Sequence, residues 1–117
     1  MRVFARGTLS GFIRNRVEPR NQRAVKGHLD AWYAEASRAS WKNSAEVKAL
    51  YRSASIVSSK RIVFNIKGND YWLIIAIDDT YQLLRIIWLG THKEYDKINV
   101  EEVEYDKRRY ADPSDPD

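Results

Sequence analysis

At 117 residues and 13.7 kDa the chain has the length of one domain, too short for an enzyme with separate cofactor and substrate units. The absence of cysteine excludes a disulfide framework, a thiolate metal site and a cysteine nucleophile, while 44% apolar residues suffice for a core. The net charge of +4 is unevenly spread: residues 1–60 carry 12 Lys and Arg against 4 Asp and Glu, net +8, and residues 61–117 carry 8 against 12, net −4. That asymmetry fits a polyanion partner, a self-complementary surface, or simply helices with solvated basic faces.

Residues 2–5 (RVFA) have the character of a short first strand. Thr8 can cap a helix over 9–17, where Leu9, Phe12, Ile13 and Val17 recur at helical spacing. Pro19 ends that helix or opens the next. A second helix is expected over 21–38, with Val25, Leu29, Trp32, Tyr33 and Ala36 along one stripe. Ser44 can cap a short third helix through Val47, Leu50 and Tyr51, and SASIVSS (53–59) reads as a connection.

From residue 61 the period changes. RIVFNI (61–66), DYWLIIAI (70–77) and YQLLRIIWL (81–89) read as three strands, and Gly90 ends the last of them. They are joined by the turns KGN and DDT, and Gly68 and Asn69 in the first tolerate positive φ. Such closely joined strands make an antiparallel meander. The later strands are apolar at nearly every position, so both faces of the sheet should be covered. Residues 91–110 mix charge with Ile98, Val100 and Val103, and either a helical turn or a short strand fits them. The expected fold is α+β, a single domain over 1–110 with two N-terminal helices packed on a small curved antiparallel sheet. ADPSDPD (111–117) should be a disordered acidic tail. The longest apolar run, Leu73 to Ile77, is far below the roughly 20 residues of a membrane span. The N-terminus lacks the apolar stretch of a signal peptide, so a cytoplasmic protein is expected.

Common catalytic signatures are missing: no P-loop, no G-x-G-x-x-G, no G-x-S-x-G and no H-E-x-x-H. His28 lies beside the stripe of the second helix, in a packed or surface role. His92 follows the third strand behind Gly90 and Thr91, where a rigid sheet can present reactive groups. It is either an acid/base residue, with Tyr95 and Lys93 near it, or an ordinary turn histidine with Thr91 capping a helical turn. Trp32 and Trp41 belong to the core. Trp72 and Trp88 are either core or a surface on which bases stack.

Three blocks, AWYAEASRASWKNSAEVKALYRSASI (31–56), RIVFNIKGNDYWLIIAI (61–77) and GTHKEYDKI (90–98), together resemble the HigB-type toxins of the RelE/ParE superfamily. The resemblance implies a toxin of a type II toxin–antitoxin system, a metal-independent mRNA interferase that cuts messages on the translating ribosome. It implies a HigA-type helix-turn-helix antitoxin as partner, with operator DNA reached only through that antitoxin, and no cofactor. His92, Tyr95 and Asp96 match the family motif. The family's two strand arginines do not: Trp72 stands at the third position after Gly-Asn, and Ile87 stands five residues before His92.

The implied chemistry needs a base for the 2′-hydroxyl, an acid for the leaving oxygen and cations for the developing charge. His92 is the expected acid/base residue, with Tyr95 positioning or sharing the proton. Arg85, two residues before Ile87 on the same strand face, and Lys67 are the expected replacements for the arginines. Arg61, Lys93, Lys97, Trp72 and Asn69 are the expected RNA-binding residues. Two other readings remain: a HigB-like protein that is catalytically silent and binds partners, and a small basic RNA- or DNA-binding module.

Overall fold

Near residue 60 the chain passes from three helices to its three longest strands, as the change of period predicts, with two short strands before that point and two short helices after it. The computed structural model describes residues 1–4, 6–68 and 70–111. Asn69 and most of the acidic tail expected over 111–117 therefore lie outside the described residues. The helices are α1 (Arg6–Arg16), α2 (Pro19–Arg38), α3 (Ser44–Leu50) and α4 (His92–Tyr95), followed by a 3₁₀ helix at Lys107–Tyr110. Pro19 occupies the first turn of α2, where its missing N–H has no partner to lose. Two expected caps are corrected. α1 starts before Thr8, which lies buried in the helix and donates to Tyr105 Oη at 3.0 Å. Asn43, one residue before Ser44, caps α3 by accepting the Glu46 N–H at 3.1 Å. Among the described residues no helix is long and apolar enough to cross a membrane.

The sheet has five strands: β1 (Arg2–Phe4), β2 (Ser55–Ile56), β3 (Arg61–Ile66), β4 (Tyr71–Asp78) and β5 (Leu83–Thr91), in the order β1-β5-β4-β3-β2. β2 to β5 form the expected antiparallel run, but β1 lies parallel to β5, so the sheet is mixed. The connection from β1 to β5 runs through the intervening helices and strands, and so is long enough for a parallel pairing, which a tight turn is not. The segment read as a connection contributes β2. Gly90 does not end β5, which runs on through Thr91. A bulge leaves Ile87 unmatched between the pairs Ile75–Ile86 and Ile74–Trp88. It sets Ile87 and Trp88 on the same face of the sheet.

Both faces are covered. Phe64, Leu73, Ile75, Ile86 and Leu89 pack under the helices against Phe12, Val25, Leu29 and Trp32. On the other face Val63, Ile74, Ile87 and Trp88 lie beneath Tyr95, Ile98, Val100 and Val103. Arg61 ties that second layer down, its Nη1 donating to the carbonyls of Val100 and Val103 at 3.0 Å each. The stretch around residues 99–111 therefore has fixed places in the fold.

β1 pairs with β5 only as far as Arg85, so the outer edge of β5 beyond it lacks a strand neighbour. The 3₁₀ helix fills that place with side chains. Leu89 N–H donates to Tyr110 Oη at 2.9 Å, and Arg109 Nη2 donates to Leu89 O at 3.1 Å. α1 holds this segment in turn, since Asn15 Nδ2 donates to Tyr110 O at 3.0 Å. A Cβ on Gly11 would stand 2.5 Å from that carbonyl oxygen, so a side chain there pushes the segment off. Gly11→Ala is expected to cost about 1–3 kcal/mol, the range for overpacking. Urea unfolding measures it, and an unchanged midpoint would mean that the segment is not held against α1.

Candidate active site

The site forms where β5 ends. Thr91 caps α4 through its hydroxyl, which accepts the Glu94 N–H at 3.2 Å, and Glu94 Oε1 returns to accept the Thr91 N–H at 3.1 Å. This reciprocal box starts a helix of only four residues and so fixes where His92 and Tyr95 point. His92 N–H donates to Asp70 O at 3.2 Å, joining α4 to the β3–β4 turn. The cap expected as the bland alternative for His92 is thus present, and the same cap presents the imidazole to solvent, with its side chain 57% exposed.

Glu94 does a second job. Its Oε2 meets Arg16 Nη2 of α1 at 2.6 Å and Arg109 Nη2 at 3.0 Å. Burial alone would raise its carboxyl pKa; the Thr91 N–H and the two guanidinium groups outweigh that and hold it at about 2. Arg109 also lies over the Trp88 ring at 4.7 Å, a cation–π contact. Gly90 makes room for it: a Cβ there would stand 2.4 Å from both Arg109 and the Trp88 ring.

The open side of α4 is aromatic. Trp72 stacks on Tyr95 with ring centroids 4.8 Å apart and planes at 14°, and Trp88 tilts against Tyr95 at 6.2 Å. Trp72 Nε1 donates to His92 Nδ1 at 2.9 Å, and His92 Nε2 faces Asp96 Oδ2 at 3.6 Å. Burial first, and then the charge of Asp96, raises the Tyr95 pKa, so its phenol keeps its proton at neutral pH.

His92, Tyr95, Asp96 and Trp72 are therefore brought together. Lys67 lies in the adjoining turn at φ 54°, its Nζ 3.5 Å from Asp70 Oδ2 and 3.4 Å from Asn21 Oδ1. Lys93 and Lys97 are exposed beside α4, and Arg61 is engaged with Val100 and Val103. Arg85 is not brought to His92. It pairs with Ala76, five positions along β4 from Tyr71, which is the partner of Thr91. At a rise near 3.3 Å that is about 16 Å away. Arg85 instead shares a shallow cleft with Lys60, Asp78 and Asp79. Trp88, only 4% exposed, is core, and His28 is a surface residue. Sequence reasoning missed Arg16, Arg109 and the bracing role of Glu94. Only the capping spacing Thr91–Glu94 was locally visible. Among the described residues no cluster of His, Asp and Glu is placed to hold a metal ion.

Glu94 carries a pH prediction. Its folded pKa lies below the ordinary 4.5, so its contribution to stability is full above that value and is lost as pH falls toward 2. Glu94→Gln should be less stable than wild type at neutral pH, and the difference should shrink between about pH 4.5 and 2. Thermal melts across that window measure it, and a difference independent of pH would refute the bracing role.

The comparison with curated proteins found no match. A family model described as HigB_toxin, RelE-like toxic component of a toxin–antitoxin system, matches residues 25–98. The matched stretch takes in α2 from Val25 onward, α3, β2 to β5 and α4, while Arg16 and Arg109 lie on either side of it. With that match over more than half its length, the chain belongs to the HigB toxin family, the RelE-like toxic component of a toxin–antitoxin system.

Proposed function

We propose that the protein is a metal-independent endoribonuclease that cuts messenger RNA on the ribosome and so arrests translation in the cytoplasm. The observation that carries this reading is His92, exposed at the end of a rigid strand and held beside Trp72, Tyr95 and Asp96. In such a reaction the 2′-oxygen bonds to the adjacent phosphorus as the bond to the 5′-oxygen breaks. The 2′-hydroxyl gives up one proton and the 5′-oxygen gains one. The products are a 2′,3′-cyclic phosphate and a 5′-hydroxyl end. The nucleophile belongs to the RNA, so the protein has to supply only geometry, hydrogen bonds and charge. His92 acts at the scissile phosphate, with the protonated Tyr95 phenol beside it as a donor.

Lys67 and the exposed Lys93 and Lys97 serve the phosphates, together with Asn69, two residues after Lys67 in the sequence. Arg85 would meet the RNA farther along the sheet. Arg61 contributes by holding the outer layer in place. The inhibitor is a HigA-type helix-turn-helix antitoxin, through which operator DNA is reached. The basic N-terminal half, net +8, would draw an acidic partner surface.

A second reading, a silent partner-binding member of the family, is favoured by one observation. The strand positions where the family has arginines hold Trp72 and Ile87, and Ile87 is wholly buried. His92→Ala decides between them. The account expects a folded protein, with melting temperature near wild type because His92 is exposed, and cleavage and toxicity lowered by about 10²-fold or more. An inactive wild type would favour the silent reading. An active wild type matched by an equally active His92→Ala would remove His92 from the reaction.

A further inference from the structure

Trp72 stands where the family resemblance leads one to expect an arginine, and its uncharged indole N–H reaches His92. An indole N–H can only donate. His92 Nδ1, 2.9 Å from Trp72 Nε1, must therefore be the acceptor and carry no proton. In the neutral ring the proton then sits on Nε2, the nitrogen that faces Asp96 Oδ2 at 3.6 Å. The two contacts agree on the same tautomer. The indole is itself held in place, stacked within 14° of parallel on Tyr95 and rooted in β4 between Asn65 and Gly90.

This arrangement leaves neither nitrogen of the neutral ring with a free lone pair. Nδ1 is occupied by the Trp72 N–H and Nε2 by its own hydrogen. A group in that state donates a hydrogen bond and does not accept the proton of a 2′-hydroxyl. We infer that Trp72 is a positioning residue that makes His92 a neutral hydrogen-bond donor to the scissile phosphate through Nε2, and not the general base. A fixed donor aimed at an oxygen that gains charge stabilises the transition state and keeps its own proton. The 2′-hydroxyl proton then passes to another acceptor, and the carboxylate of Asp96 is the one standing beside Nε2. Water protonates the departing 5′-oxygen, and the hydroxide so formed recovers the proton from Asp96. The inference rests on the proposed RNA cleavage for its consequence, but the hydrogen bond and the tautomer can be measured without RNA.

The test pairs NMR with kinetics. The chain has only two histidines, so His28→Gln assigns the imidazole signals of ¹⁵N-labelled protein. In the wild type at pH 8, Nε2 of His92 should carry the proton, and a coupling across the hydrogen bond should link Trp72 Nε1 to His92 Nδ1. Trp72→Phe keeps a ring to stack on Tyr95 but removes the N–H. It should abolish the coupling and lower cleavage by about 10- to 10²-fold, the scale of a misplaced catalytic group, mainly in kcat with KM little changed. An Nδ1–H tautomer in the wild type, or no coupling, would overturn the inference. So would a Trp72→Phe protein that cuts as fast as or faster than wild type, because the indole would then be a restraint and not a support. If coupling and tautomer are as expected but the wild type does not cut RNA, the proposed function fails while the Trp72–His92 bond stands; if the wild type cuts and His92→Ala cuts as fast, the inference about His92 is overturned.

Discussion

The peptide group of Leu89 is buried at a strand edge that β1 has already left. An unpaired N–H and C=O there would each carry a desolvation cost of roughly 1–3 kcal/mol. No strand answers them; two consecutive side chains do, Arg109 to the carbonyl and Tyr110 to the N–H. From this substitution much of the site follows. The chain has to return across α1 to bring residues 109 and 110 to the edge, and doing so delivers a guanidinium to Glu94. Glu94 is the residue whose other oxygen starts α4. Edge satisfaction and placement of His92 are thus parts of one connected set of hydrogen bonds, and Arg16 closes it from the helical side.

The division of labour between the two faces of the sheet explains where reactive groups can stand. The helical face is filled by large apolar side chains and leaves little room for chemistry. The opposite face is covered by the segment from Tyr95 to Val103, with Val57 beside it, and that segment begins at α4. At this margin Trp72, Tyr95 and His92 are partly covered and partly open. Here a hydrogen bond such as that from Trp72 to His92 is less contested by water than on a free surface, yet a ligand can still approach. Gly90 makes the margin possible, because any side chain there would collide with Trp88 and Arg109.

Most of the fold was legible because it is written in local periods. The stripe of α2 and the apolar runs of β3 and β4 are recovered within a residue or two. What was not legible depends on partners distant in sequence. Nothing in RVFA says that it will lie parallel to β5, and nothing around Ile86 to Trp88 announces a bulge. Thr8 looked like a cap because its real partner, Tyr105, is 97 residues away. The site was half legible. His92, Tyr95 and Asp96 share one short motif, and the cap at Thr91 follows from spacing. Arg85 was placed by strand face alone, and face does not shorten the distance along a strand. Arg16 and Arg109 reach Glu94 from opposite ends of the chain, so no window of sequence contains them together.

The central claim is chemical: an RNA phosphate is cut by its own 2′-oxygen at the margin where His92 stands. The most direct measurement is the chemistry of the new ends on messages recovered from a translating extract after addition of the purified protein. The account predicts 5′-hydroxyl ends, which accept a labelled phosphate from polynucleotide kinase without prior phosphatase, opposite 2′,3′-cyclic phosphates. Fragments with 5′-phosphate and 3′-hydroxyl ends would contradict it, because they require an external nucleophile that this site is not built to activate.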